Sequence, residues 1–186
     1  MRGLIDEDLG VVAGALEILR YSIHGQARVA FQNAAAVRGL SDRFRRRMLN
    51  FFLDHGDALR GAVPHEFLLL DFLRAVLPRY AGPSLTLHRG TSFQERRRRT
   101  YGSSWTANEA VARHIAEKDK CRTVLGGSVV LKTDAPASAV ICAPALVNNR
   151  FQEDEYIVDR RRLRRVDVTE RFPWLSIDKY VSASRA

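Results

Sequence analysis

The chain has 186 residues, 46% of them apolar and 27% charged, enough to bury a core without disulfides or a structural metal. Its two cysteines, Cys121 and Cys142, make neither a metal-ligand spacing nor a disulfide framework, and no apolar run approaches the ~18 residues of a transmembrane helix. Thirty basic residues against 21 acidic give a net charge of +9, which favours anionic partners: nucleic acid, an acidic protein or an anionic cofactor.

The first eighty residues read as helical. The acidic start, MRGLIDEDLG, lacks the basic and then apolar stretches of a secretory signal, so a cytoplasmic protein, or one delivered into a target cell, is expected. Leu9, Val12, Leu16 and Leu19 fall at helical spacing. Ser41 and Asp42 suit the cap of a helix running through Met48, Leu49, Phe52 and Leu53, and Pro64 suits the first turn of another carrying Phe67, Leu68, Phe72 and Leu73. Pro78 and Gly82-Pro83 close this region, predicting a helical region over 1–80 packed on a core over 81–186.

Beyond Pro83 the pattern changes. LTLHRG (85–90), SVVLKTD (128–134), SAVICAP (138–144) and EYIVD (155–159) are short and rich in β-branched residues, as strands are, and ANEAVARHIAEK (107–118) reads as a helix between them. Helices followed by a strand-rich half predict an α+β architecture.

Three segments in that half carry candidate chemistry. In 85–90, alternation puts Leu85, Leu87 and Arg89 on one face, so the guanidinium must reach water or an anion at the strand end. Gly90 beside it permits close backbone approach by a ligand, although a strand-end arginine before a turn glycine is the plainer reading. In the Gly102–Thr106 turn, Thr106 and Glu109 make a T-x-x-E capping box. That box leaves Ser104 and Trp105 unexplained, and an extended Ser-x-Thr would turn both hydroxyls to one side. In FQEDEYIV (151–158), Glu153 and Glu155 share a face opposite Tyr156 and Val158. Adjacent carboxylates repel, which is unhelpful for stability but suits acid–base work or the binding of sugar hydroxyls.

In their order and spacing these segments resemble the arginine–serine–glutamate class of mono-ADP-ribosyltransferases over roughly residues 80–170. The resemblance implies an ADP-ribosyltransferase-like mixed β-sandwich core, NAD as substrate and no metal. It implies that Arg89 would bind the NAD phosphates or the adjoining ribose, and that the Gly90 backbone would meet the nicotinamide amide. Ser104, with Thr106 near the cofactor, would position the catalytic glutamate, Glu155. Glu153 would activate the acceptor, and the preceding loop, with Phe151 and Gln152, would hold it. Trp105-Thr106 stands where many members have Thr-Ser. His88 faces away from Arg89 and reads as structural, as does His114. Trp174, Phe172 and Tyr180 read as packing aromatics.

The resemblance also implies a bacterial toxin or defence effector acting on a macromolecule, with an antitoxin or immunity protein as a further partner. Glu153 favours a protein arginine as acceptor, which is the first choice, whereas the charge favours a polyanionic target, either RNA or DNA or an acidic protein surface. Twenty-six of the thirty basic residues are arginine, which a GC-rich genome explains as readily as phosphate binding does. The runs at 45–47, 96–99 and 160–165 read as solvated faces, with 96–99 in a loop that borders the cleft. Two other functions fit the residues: an NAD glycohydrolase, and a non-catalytic basic nucleic-acid-binding domain, for which no RNP, KH, zinc-finger or helix-turn-helix signature is found.

Overall fold

The structure, a computed structural model, describes residues 2–20, 24–63, 65–143 and 155–175. The chain divides into two units, the first ending at Arg79 and the second beginning at Tyr80.

The first unit is helical: α1 (Arg2–Ile5), α2 (Leu9–Arg20), α3 (His24–Ala35), α4 (Asp42–Ala62) and α5 (Glu66–Val76). As its spacing predicts, α2 buries Val12 and half-buries Leu9, Leu16 and Leu19, leaving Val11 and Ile18 exposed. Ser41 caps α4, its hydroxyl accepting the Phe44 N–H at 3.2 Å, and α4 kinks at His55. The cap of α5 is His65, whose Nδ1 accepts from the Phe67 N–H at 3.3 Å; Pro64 lies outside the described residues. Leu77, which precedes Pro78, is extended at ψ 158° and ends α5. Apolar faces of α4 and α5 supply most of this core, and Phe31 of α3 meets Phe72 edge-on with centroids 5.3 Å apart.

Arg45 corrects the solvated-face reading of its run. Arg46 and Arg47 are exposed, but Arg45 is only 9% exposed. Its Nη1 donates to the carbonyls of Ala75 (2.6 Å) and Leu77 (3.0 Å), so a buried cation closes the C-terminus of α5.

The second unit runs β1 (Leu85–Ser92), α6 (Phe93–Arg98), β2 (Ser104–Thr106), α7 (Glu109–Glu117), α8 (Asp119–Arg122), β3 (Ser128–Ala135), β4 (Val140–Cys142), β5 (Glu155–Val158) and β6 (Asp167–Phe172). The chain is therefore mixed α+β. Among the described residues the strands join into one sheet, order β4-β5-β2-β1-β3-β6, with every pair antiparallel. That sheet is nearly divided. β1 and β2 share a single registered pair, His88 with Thr106, whereas β1 pairs with β3 along its whole length. Two three-stranded halves thus meet at one point.

Leu87, Trp105, Leu131 and Val158 fill one side of this sheet, and α7 lays Ala112 and Ala116 against Val130 on the other. Several local readings are corrected here. Residues 104–106 form a strand, not a turn, and residues 93–98 a helix, not a loop. Thr106 does not cap α7. Asn108 does, its Oδ1 accepting from Ala110 (3.0 Å) and Val111 (3.4 Å), and the capping box belongs instead to Ser92 and Glu95 at the start of α6. The strand at 167–172 escapes sequence reading because its charged residues blur the alternation that half-buries Val168, Glu170 and Phe172. Among the described residues no helix is long and apolar enough to cross a membrane.

Candidate active site

Strand order brings the chemistry-bearing residues together. β1, β2 and β5 are consecutive in the sheet, so Arg89, Ser104, Thr106 and Glu155 sit on three neighbouring strands although up to 66 positions separate them in sequence. Thr106 pairs with both His88 and Glu155, and paired residues share a face, so His88, Thr106 and Glu155 form one row across the sheet. Ser104 lies two positions along β2 on that same face. It is thus a diagonal cross-strand neighbour of Glu155, a spacing of about 7–8 Å between Cα atoms that side chains can bridge.

Arg89 follows His88 and starts from the opposite face, with Leu85 and Leu87. Its Nη1 donates to the Ser104 carbonyl, and the guanidinium rests against Gly102, where a Cβ would lie only 3.3 Å from Nη2. The arginine therefore braces β1 against the start of β2, beyond their single registered pair. No sequence motif marks Gly102 as functional. Its signal there is only a glycine before Ser-Ser-Trp-Thr.

Gly90 is explained by packing. A Cβ at this position would meet the Ala112 carbonyl at 2.2 Å and the Ala116 nitrogen at 2.6 Å, so the packing of α7 by itself demands a glycine here. Thr106 is buried, and its Oγ1 accepts the Asn108 N–H at 3.0 Å. Glu155 is half-buried at the start of β5. Glu153, Phe151 and Gln152 lie outside the described residues.

Trp105 is 1% exposed and meets Tyr101 edge-on with centroids 5.8 Å apart, so the tryptophan expected in a turn is a core residue. His88 is 6% exposed, its Nδ1 has no hydrogen-bond partner among the described residues, and burial pushes its pKa below the usual histidine value. His114 is exposed on α7, and Phe172 packs against Ala112, Ala116 and Val130. Trp174 is 50% exposed rather than packed away, its indole N–H reaching the Thr123 carbonyl at 3.3 Å; Tyr180 lies outside the described residues. Burial pushes the Cys142 thiol up to about 12, which leaves it protonated and unreactive at neutral pH. No group of three or more His, Cys, Asp or Glu side chains among the described residues is arranged to hold a metal ion.

The result is two hydroxyls and a carboxylate on one face of adjacent strands, with a guanidinium starting from the opposite face, where a sheet is almost split. Such a set can receive an anion, hydrogen-bond sugar hydroxyls and stabilise positive charge. No family model, curated protein or solved structure matches the chain.

Proposed function

We propose that the second unit is an NAD-dependent mono-ADP-ribosyltransferase of the arginine–serine–glutamate class, with the fold of that family, acting on a macromolecular acceptor as a toxin or defence effector. The observation that supports this most directly is the adjacency of β1, β2 and β5, which joins Arg89, Ser104 and Glu155 in the order that their motifs have along the chain. A solvated strand end would explain any one of these residues, but not why all three fall on neighbouring strands.

In this reading NAD is a substrate. Its cationic nicotinamide is already a good leaving group, so the protein need not generate a strong nucleophile. The Glu155 carboxylate holds the 2′-hydroxyl of the nicotinamide ribose and stabilises the positive charge that develops on that sugar. Ser104 fixes the carboxylate's position. The Arg89 guanidinium meets the pyrophosphate as a charge-assisted donor. Glu153 orients the acceptor.

Incubating the protein with labelled NAD and a cell lysate tests the reading. Wild type should release nicotinamide and label a macromolecule, and Glu155→Gln should slow NAD turnover by about a hundredfold or more while leaving the fold unchanged by circular dichroism. A folded Glu155→Gln protein with wild-type turnover would remove Glu155 from the site. Nicotinamide release with no labelled acceptor would make the protein an NAD glycohydrolase. Absence of any turnover would leave the basic binding-domain reading.

A further inference from the structure

Two arginine runs far apart in the sequence form one surface. Residues 96–99 are all arginine, and 160–165 hold five more. The Arg160 Nη1 donates to the Arg99 carbonyl, and the Arg96 Nη2 reaches the Val166 carbonyl at 3.4 Å. The end of α6 is thereby tied to the segment between β5 and β6. Across 95–100 and 159–167, nine arginines stand with only three carboxylates, Glu95, Asp159 and Asp167.

Those carboxylates are engaged. Glu95 caps α6, Asp159 is 1% exposed and holds Arg161 at 2.9 Å and Arg162 at 3.7 Å, and Asp167 holds Arg165 at 2.9 Å. Arg97, Arg98, Arg99 and Arg164 are exposed and have no ion-pair partner among the described residues. Two of the remaining arginines use donors to lock the backbone together. The ridge therefore holds like charges close at a cost in repulsion, which a matching array of anions would relieve.

We infer that this ridge is a docking surface for the phosphodiester backbone of a nucleic acid. Phosphates at close spacing along a chain suit a surface dense in exposed guanidinium forks, each able to take one phosphate through two parallel hydrogen bonds. The apolar residues of the two segments, Phe93, Leu163 and Val166, are half-buried and packed on the sheet core, so they form neither a stacking platform for bases nor the apolar anchor of a protein interface. The surface thus reads backbone rather than sequence. It deepens the proposed activity by naming the acceptor class, but the docking itself requires no NAD and stands whether or not ADP-ribose is transferred.

The test is fluorescence anisotropy with the full chain, a short labelled RNA hairpin and a DNA duplex, across a salt series and without NAD. Both should bind, with affinity falling linearly in log salt. The triple variant Arg97→Gln, Arg98→Gln, Arg164→Gln should bind at least about tenfold more weakly, with the salt slope reduced by about two to three, since each lost arginine removes about one phosphate contact. The corresponding triple lysine variant should keep most of the binding, which separates lost charge from a disturbed fold. No binding by wild type, or undiminished binding by a folded glutamine variant, would overturn the inference. So would tighter binding to polyglutamate than to either nucleic acid, which would assign the ridge to an acidic protein. None of these outcomes depends on NAD turnover, so failure here and failure of the catalytic assignment are distinguishable.

Discussion

Gly90 shows how one missing side chain can suggest a ligand and be explained by a helix. The space its Cβ would fill belongs to the backbone of α7, at 2.2 Å from the Ala112 carbonyl. Backbone cannot step aside as a flexible side chain can, so Gly90→Ala should destabilise the fold by about 1–3 kcal/mol, read from the denaturant midpoint. Unchanged stability with weakened NAD binding would return the glycine to the ligand. His88 next to it yields a pH dependence. Burial disfavours its charged form more than the neighbouring Glu109 carboxylate favours it, so its folded pKa lies below the ordinary 6.5. Between those two values the unfolded chain binds the extra proton, and stability falls as the pH drops below about 6.5. Thermal melts taken from pH 7 downwards should show that decline, and His88→Leu should flatten its upper part. An equal slope in the variant would assign the decline to other groups.

Among the elements, α5 depends on a cation from α4. Arg45 supplies donors to carbonyls that the helix end would otherwise leave without intrahelical partners, in a position closed to water. Hydrogen bonds from a charged donor to such groups contribute about 1.5–3 kcal/mol, so Arg45→Ala should lower the unfolding free energy by that order, with Arg46→Ala, on the exposed side, close to neutral. Equal effects of the two substitutions would show that the buried contacts contribute nothing special. β2 makes a different point about elements. It is three residues long, yet it joins both halves of the sheet: Thr106 bridges to β1 and all three residues register with β5. The chemistry proposed for this protein rests on the shortest kind of strand, because that is where the hydrogen-bonded ladder can open.

Across the whole molecule, charge is distributed unevenly, whereas apolar exposure is not. Exposed large apolar side chains occur in both units, Ile5, Val11, Ile18 and Val29 in the first and Ile115, Val124, Leu125 and Trp174 in the second, and the first also holds a largely apolar cavity of about 320 Å³ lined by residues of α1, α2 and α3 together with Phe72. From Tyr80 onward lie nineteen of the thirty basic residues and twelve of the 21 acidic ones, so the second unit carries +7 of the net +9. The unit with the candidate site is therefore the one whose field draws in anions, and the rate at which it meets them should depend on ionic strength.

Local patterns in the sequence determined the helix-rich start, the Ser41 cap of α4, strands read at 85–90, 128–134, 138–144 and 155–159, and hence the α+β class, because capping and apolar periodicity act over a few residues. They also marked Arg89, Ser104, Thr106 and Glu155 as residues worth joining. Tertiary structure alone decided what those positions face. Strand pairing across long intervals put β2 between β1 and β5, and no local signal encodes which strands will be neighbours. Close packing of α7 explained Gly90, and burial made Trp105 core and Arg45 a helix cap. Two arginine runs that read as separate solvated faces became one ridge through contacts spanning 61 and 70 residues. Charge is written in the sequence, but its density at a surface depends on which distant segments the fold presses together.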